Sequence, residues 1–242
     1  MAKRSLDLVC ALLGLLLASP LLVVLMFLVW WEDKHSPFYV ALRVGRGGVP
    51  FRMVKLRSMV IDADRKGASS TSNSDRRITP VGHFIRRYKV DEMTQLWNVL
   101  VGDMSLVGPR PQVQQGVDLY TAQEREMLSV RPGITDLASI VFADEGSILQ
   151  DSPDPDGDYD RLIRPWKSRL ALIYVHGRSL GLDVRLILAT IVAIFSRPRA
   201  LSQVQALLRH LRAPADVIEV SARRRPLLPA QPPAGEFVPQ IG

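Results

Sequence analysis

A chain of 242 residues is long enough to bury one substantial core, and its 47% hydrophobic content is typical of a folded protein rather than a disordered one. The formal net charge of +7 indicates an anionic partner, but nucleic acid, anionic lipid and phosphorylated substrates satisfy that equally. The single cysteine, Cys10, cannot form an internal disulfide, so nothing indicates an oxidising compartment. We therefore expect one principal domain that faces the cytoplasm.

The N-terminal segment from Leu6 to Trp31 is almost continuously apolar. It exceeds the roughly 20 residues that cross a bilayer, and it also exceeds the apolar core of a signal peptide, which is about 7 to 15 residues long. Because no small-residue cleavage site follows it, we interpret the segment as a permanent membrane element.

Two features bear on whether this segment spans the membrane or enters it and turns back. Lys and Arg mark the cytoplasmic side, and they flank both ends, with Lys3 and Arg4 before the segment and a basic series that begins at Lys34 after it. Pro20 removes one helical hydrogen bond, and Ser19 can satisfy the freed backbone, which makes the midpoint suitable for a bend. A re-entrant helical hairpin accounts for both features, and a kinked spanning helix is the alternative.

The middle of the chain shows strand and helix patterns. Strands are predicted at 38–44 and 50–59, joined by a glycine-rich turn at 45–48. Residues 62–77 are polar and lack apolar periodicity, which predicts a mobile loop. Helices are predicted from Thr79, as the N-cap, to Tyr88 and from about Asp91 to Gly102.

The C-terminal third combines apolar and basic patterns. Segments 166–174 and 184–195 are typical of helices, and the second is short for a membrane span and suits the membrane interface. Leucines and arginines within 207–212 form a short basic amphipathic piece. The Arg/Pro-rich tail from Ala213 lacks periodicity, and we expect it to be largely disordered.

The adjacent acids Asp91 and Glu92 are weak evidence for catalysis by themselves, because an N-cap carboxylate followed by an acid near the positive end of a helix explains them structurally. Their basic surroundings favour a functional interpretation. Arg110 lies between two prolines, so its backbone is stiff and its guanidinium is presented at low entropic cost. Arg131, in Arg-Pro-Gly, repeats that arrangement. Rigidly held arginines suit bidentate binding of phosphate oxygens.

Four motifs follow one another along the chain. They are KLRSM at 55–59, DEMTQLWNVL at 91–100, GDMSLVGPRP at 102–111 and RPGIT at 131–135. With Lys3, Arg4, Asp7 and the Ser19-Pro20 pair, the sequence resembles the bacterial sugar transferase family of monotopic phosphoglycosyl transferases. The likeness covers roughly residues 3 to 200, and several ordered motifs at matching separations are far more specific than one motif.

The resemblance implies an α+β, mostly helical fold. It would comprise a re-entrant membrane helical hairpin bent at Ser19-Pro20 and a small cytoplasmic domain with a short β-hairpin and amphipathic interface helices. The expected domains are the membrane segment at 1–34, the catalytic domain at 35–200 and a basic amphipathic helix with a flexible tail at 201–242. The implied location is the bacterial inner (cytoplasmic) membrane, with the active site on its cytoplasmic face.

The resemblance also implies catalysis by Asp91 and Glu92, which would hold Mg²⁺ as well. Asp91 would attack the phosphorus next to the sugar of a UDP-sugar, release UMP and carry the sugar phosphate until polyprenyl (undecaprenyl) phosphate accepts it. This reaction would be the first membrane step of glycoconjugate synthesis. Whether Glu92 binds the metal or assists proton transfer stays open. The expected substrate-binding residues are Lys55, Arg57, Arg86, Arg110 and Arg131.

The sequence departs from the family pattern at two places. Ala41 replaces a usual glutamine, and Met93-Thr94 replaces a usual Leu-Pro after the acidic pair, which loosens the expected first helical turn. The histidines have no ligand spacing, which argues against zinc. The acids at 151–160 and the pair Asp144-Glu145 are interpreted as solvated loop acids.

The alternative function is a non-enzymatic, basic, membrane-anchored adaptor, motivated by the apolar segment, the net charge and the basic C-terminal helix. Nucleic acid is not an expected partner, because the sequence contains no basic motif interleaved with aromatic residues. The expected partners are a UDP-sugar, polyprenyl phosphate and membrane lipid. The identity of the sugar and the oligomeric state, a homodimer included, stay open.

Overall fold

The computed structural model describes residues 2–63 and 75–234. The chain is α+β and mostly helical, as predicted. Its helices are α1 (Ala2–Asp33), α2 (Pro80–Arg87), α3 (Leu96–Val101), α4 (Gln114–Asp118), α5 (Leu137–Val141), α6 (Glu145–Ile148), α7 (Pro155–Asp158), α8 (Arg164–Gly177), α9 (Leu180–Phe195), α10 (Arg197–His210) and α11 (Ala215–Ser221). The strands are β1 (Phe38–Val44), β2 (Pro50–Leu56), β3 (Ser105–Val107) and β4 (Gly133–Thr135).

Helix α1 continues through Pro20. Proline has no N–H to give to the carbonyl four residues before it, which here belongs to Leu16. The Ser19 hydroxyl donates to that Leu16 carbonyl oxygen at 2.8 Å, so the predicted compensation by Ser19 is confirmed. Within the described residues α1 is the one helix that is long and apolar enough to cross a membrane.

Both ends of α1 are held against the same folded domain. Near the N-terminus, the Asp7 carboxylate accepts hydrogen bonds from the Ser105 hydroxyl and the Leu106 N–H, both at 3.0 Å. At the C-terminus, the Asp33 carboxylate is paired with the Arg57 guanidinium. Helix α1 therefore lies along the domain instead of projecting away from it.

Strands β1 and β2 form the predicted antiparallel hairpin. The turn between them contains Gly47 and Gly48 at φ 69° and 80°, a backbone region that favours glycine. Strand β2 ends at Leu56, earlier than predicted, because the chain then pairs with residues 77–79, directly before α2. A Cβ on Gly82 would lie 1.9 Å from the Ser58 carbonyl oxygen, so only glycine permits this approach.

The parallel pair β3 and β4 was not predicted, since each strand has only three residues. Ser105 pairs with Gly133 and Val107 pairs with Thr135. A Cβ on Gly133 would lie 2.1 Å from the backbone nitrogen of Gly108, which again requires glycine. This close approach holds the loop that carries Arg110 against the Arg-Pro-Gly turn.

The core surrounds α8 and reaches beyond the predicted catalytic domain. Leu170, Ile173 and Tyr174 of α8 are almost completely buried, and they share one hydrophobic cluster with residues of α5, α9 and α10. The cluster includes Val217 of α11, which is 1% exposed. The expectation of disorder from Ala213 onward is therefore wrong for α11, because the segment buries apolar side chains that are too few for a visible helical period.

Two other expectations from the sequence concern segments that are described only in part. The predicted mobile loop at 62–77 falls largely on residues 64–74, and the last part of the tail is 235–242; both stretches lie outside the described residues. The predicted amphipathic piece at 207–212 is mostly the last turn of the longer helix α10.

Candidate active site

Asp91 and Glu92 lie in a 3-10 turn, Val90–Gln95, that leads into α3. The N-cap position before this turn is occupied by Lys89 at φ 53°, and within the described residues the Asp91 carboxylate accepts no hydrogen bond. The structural explanation of Asp91 as a helix cap is therefore not realised.

Two polar side chains tie this turn to β2. The Thr94 hydroxyl donates to the carbonyl oxygens of Asp91 at 3.1 Å and of Val54 at 3.2 Å. The buried Asn98 side chain accepts from the Val54 N–H at 3.0 Å and donates to the Arg52 carbonyl at 2.7 Å. Thr94, one of the departures from the family pattern, thus tightens the turn that we expected to be looser without proline.

This attachment places the acids between two predicted cations. The Lys55 Nζ lies 3.7 Å from Asp91 Oδ2 and 3.9 Å from Glu92 Oε1. Arg110 donates from its guanidinium to Glu92 Oε1 at 2.6 Å. Glu92 therefore has a close, charge-assisted hydrogen bond, whereas Asp91 has only a longer ion pair.

The two acids differ in acidity for this reason. Burial raises the pKa of Asp91, and the negative charge of Glu92 adds to the effect, while Lys55 opposes it. Burial would also raise the pKa of Glu92, but Arg110 and Lys55 outweigh it and hold that pKa at about 2. Burial and the nearby Arg110 lower the pKa of Lys55. Glu92 is thus the fixed counter-ion, and Asp91 is the more basic carboxylate.

The other three predicted substrate-binding residues lie further from the acids. Arg86 contacts the Met59 sulfur at 3.9 Å and is close enough to affect Asp91 electrostatically. Arg57 is nearly buried, and its guanidinium is occupied by Asp33 and by backbone carbonyls. Arg131 is exposed, and its Nε donates to the Gly102 carbonyl oxygen at 2.9 Å. Binding of substrate by these three arginines stays a prediction.

Sequence reasoning missed a cleft that begins at Arg110. Its lining residues come from two stretches of the chain, 109–139 and 159–171. Lys167 Nζ pairs with Glu145 and lies 5.3 Å from the centre of the Tyr159 ring. No local motif could have revealed this arrangement, because the partners are far apart in the chain.

The interpretation of Asp144 and Glu145 as solvated loop acids is wrong. Asp144 pairs with Arg197 at 2.7 Å and with Arg223 at 3.3 Å, and Glu145 pairs with Lys167. All of these partners follow the acids by more than 20 residues. Asp144 and Glu145 therefore connect α8, the start of α10 and the segment after α11.

The sequence matches the family model described as bacterial sugar transferase over residues 1–197. The chain belongs to the bacterial sugar transferase family. This confirms the resemblance on which the assignment of Asp91 and Glu92 depends, although the match does not test the role of either residue.

Individual members of the bacterial sugar transferase family are also similar to this chain. A UDP-glucose:undecaprenyl-phosphate glucose-1-phosphate transferase of Caulobacter vibrioides is 32% identical over 203 residues, which are 82% of this chain and 71% of that protein. A UDP-N-acetylgalactosamine-undecaprenyl-phosphate N-acetylgalactosaminephosphotransferase of Aeromonas hydrophila is 34% identical over 197 residues, or 80% of this chain. The chain spans only 44% of the Aeromonas protein, so that name describes a longer molecule.

The carboxylates of this sugar transferase family member can be compared with the ligands that a metal ion requires. Within residues 2–63 and 75–234, no group of three or more His, Cys, Asp or Glu side chains is arranged to hold one. Mg²⁺ in phosphoryl-transfer sites usually takes one or two carboxylates and completes its shell with substrate phosphates and water. Asp91 and Glu92 fit that smaller set.

Proposed function

We propose that this protein transfers a sugar 1-phosphate from a UDP-sugar to polyprenyl (undecaprenyl) phosphate and releases UMP. The observation that carries the proposal is the asymmetric pair at the site: Glu92 is held by Arg110, while Asp91 beside Lys55 remains the more basic acid. The names of the relatives support the two substrate classes. The product would begin the membrane stage of exopolysaccharide, O-antigen or glycoprotein glycan synthesis.

The proposed reaction has two displacements at one phosphorus atom. A carboxylate oxygen of Asp91 attacks the phosphorus that bears the sugar, the bond to the bridging oxygen breaks, and UMP leaves with that oxygen. A phosphate oxygen of polyprenyl phosphate then attacks the same phosphorus and releases the Asp91 carboxylate. Each step forms one P–O bond and breaks one, so no oxidant or reductant is required.

The cations supply the electrostatics of this reaction. A diphosphate repels an approaching carboxylate, and Lys55 lies where it can reduce that repulsion. Arg110 is pre-organised by its flanking prolines and by Glu92, so its free N–H groups can bind phosphate oxygens without losing much entropy. Mg²⁺ held by Asp91 and Glu92 would stabilise the charge that shifts between the phosphate oxygens.

Access to a lipid substrate is supported by the apolar surface of the fold. Large hydrophobic side chains of α1 are exposed, among them Leu16 at 67% and Leu17 at 80%, and Phe195 at the end of α9 is 85% exposed. The domain contacts both ends of α1, which a helix that carried its ends to opposite sides of a membrane would not permit. These contacts support a monotopic, re-entrant placement in the inner membrane with a cytoplasmic site.

The activity is tested by incubating the full chain with undecaprenyl phosphate, Mg²⁺ and a panel of UDP-sugars, and by measuring UMP. Without the acceptor, the two-step reaction predicts a burst of UMP equal to the amount of enzyme and a labelled sugar phosphate on the acid-quenched protein. A membrane adaptor would bind lipid and release no UMP from any UDP-sugar.

The topology is tested by cysteine labelling in a Cys10→Ala background. Ser5→Cys and His35→Cys place one thiol near each end of α1. Re-entrant placement predicts that a membrane-impermeant reagent labels both thiols in inverted vesicles and neither in intact cells. Labelling of one thiol from each side would instead establish a spanning helix.

A further inference from the structure

The cleft beyond Arg110 has the composition of a ligand site. Arg110 lines it while donating to Glu92, so the cleft is continuous with the acids. Lys167 and Arg164 also line it, paired with Glu145 and Glu124, beside the carboxylates of Asp136 and Asp160, and Tyr120 and Tyr159 add aromatic surface. An aromatic face with nearby cations suits a nucleobase attached to phosphate.

The lining of the cleft includes no residue of α1 or α9, the two helices that carry most of the exposed large apolar side chains among the described residues. All of its lining residues fall within 109–171. A polyprenyl chain would need the apolar surface. The cleft therefore suits the water-soluble substrate.

The direction of the transfer decides which half of the donor reaches the cleft. The attacking and leaving oxygens in phosphoryl transfer are roughly in line, so UMP departs on the side of the phosphorus away from Asp91. Lys55 contacts both acids, whereas Arg110 pairs with Glu92 and also lines the cleft, so Arg110 connects the acids to the cleft. Resting on the proposed function, we infer that the cleft binds the nucleoside monophosphate half of the donor, which leaves as UMP.

The C-terminal segment 222–234 links the two stretches that line this cleft, 109–139 and 159–171. The Ala230 N–H donates to the Arg161 carbonyl at 3.0 Å, and the Thr121 hydroxyl donates to the Pro233 carbonyl at 2.8 Å. Arg169 donates to the Gln231 carbonyl at 3.1 Å. Arg161, Thr121 and Arg169 each adjoin a residue that lines the cleft. The segment lies outside the family match, so this chain supplies its own brace for the nucleotide site.

Filling the cleft tests the inference in the full chain. Gly116 lines the cleft, and a Cβ there would meet the nearest atom at 3.6 Å, which is ordinary van der Waals contact. Gly116→Leu is expected to raise the KM for the UDP-sugar and the inhibition constant for UMP about tenfold each, with the KM for polyprenyl phosphate unchanged. Gly181→Leu is the matched control, because a Cβ at Gly181 meets nothing within 4 Å and lies outside the cleft.

UMP distinguishes the two halves of the donor because it lacks the sugar. If Gly116→Leu raises the UDP-sugar KM and leaves UMP inhibition unchanged, the cleft holds the sugar and the inference is overturned. If neither constant changes, the cleft binds no part of the donor. If the wild-type chain releases no UMP from any UDP-sugar, the proposed function itself fails, which is a different result.

The brace is tested by removing one hydrogen-bond donor. Ala230→Pro deletes the N–H that reaches Arg161, and it is expected to raise the UDP-sugar KM and the UMP inhibition constant about threefold, without lowering kcat. Leu228→Pro is the control, since Leu228 is 75% exposed and its N–H donates to no described residue. Equal constants for the two variants would overturn the bracing role and leave the nucleotide site standing.

Discussion

Arg110 and Glu92 are joined by a hydrogen bond of 2.6 Å, which gives the two neighbouring acids of the site different environments. Glu92 is held by a guanidinium, whereas the Asp91 carboxylate has only the longer ion pair with Lys55 among the described residues. This difference supports Asp91 rather than Glu92 as the nucleophile.

Asp91→Asn is expected to abolish UMP release, with a loss of roughly 10³-fold or more, because an amide cannot form the acyl phosphate. The acid-quenched variant should carry no labelled sugar phosphate. Asp118→Asn is a suitable control, since Asp118 lies in α4 and, among the described residues, bonds only to Gln114. Persistent full activity in Asp91→Asn would remove the assigned nucleophile.

Arg110→Lys is expected to lower kcat/KM by about 10²-fold, although it keeps the positive charge. A single ammonium group cannot hold Glu92 and phosphate oxygens together with the geometry of a guanidinium. Steady-state kinetics across UDP-sugar concentrations measure the effect. Near-normal kcat/KM would show that charge alone, without the planar fork, accounts for the role of Arg110.

The acid limb of the pH profile should respond to Lys55. Asp91 attacks only when ionised, and its pKa is raised, so activity falls as the pH drops through that pKa. Lys55 opposes the rise, and its loss must therefore raise the pKa of Asp91 further. In Lys55→Gln the acid limb of kcat/KM is expected to move to higher pH. A limb that stays in place, or moves to lower pH, would contradict the assignment.

Removal of divalent metal is expected to abolish turnover. EDTA should stop UMP release, and added Mg²⁺ should restore it, because in the proposed reaction Asp91 and Glu92 would provide two hard oxygen ligands and the diphosphate would provide others. Calorimetric titration supplies a second measurement: wild-type protein should bind UDP-sugar more tightly with Mg²⁺ present, and Glu92→Gln should lose that difference. Full activity in EDTA would exclude the metal requirement.

Gly133→Ala should destabilise the fold by about 2 kcal/mol or more, since its Cβ would clash with the backbone of Gly108. The clash would separate β3 from β4 and displace the loop that carries Arg110. Thermal unfolding in detergent measures the change. Gly116→Ala is the matched control, and an equal unfolding temperature for the two variants would contradict the role given to this contact.

The sequence was informative wherever function depends on neighbours along the chain. The β-hairpin, the Thr79 cap, the acidic pair and the proline-flanked Arg110 could all be predicted, because turn chemistry and periodicity are local. The Thr79 hydroxyl does accept from the Gly82 N–H at 2.9 Å.

The remaining features depend on contacts between distant segments. Arg57, a predicted substrate-binding residue, pairs with Asp33, which lies 24 positions earlier in the chain. Asp144 pairs with Arg223, which lies 79 positions later. Helix α11 has one nearly completely buried apolar side chain, Val217, and its stability comes from the core beneath it rather than from its own pattern. No period in the sequence encodes such contacts.

The attachment of Asp7 to Ser105 and Leu106 makes the long apolar helix α1 a structural part of the domain. Deleting α1 to obtain a water-soluble fragment would leave those two buried donors without their acceptor and would uncover the completely buried site of Ala11 in the main core. Such a fragment should aggregate or lose the alignment of β3. If α1 is embedded in the membrane as proposed, detergent or lipid is expected to preserve the folded domain itself, and not merely to dissolve an anchor.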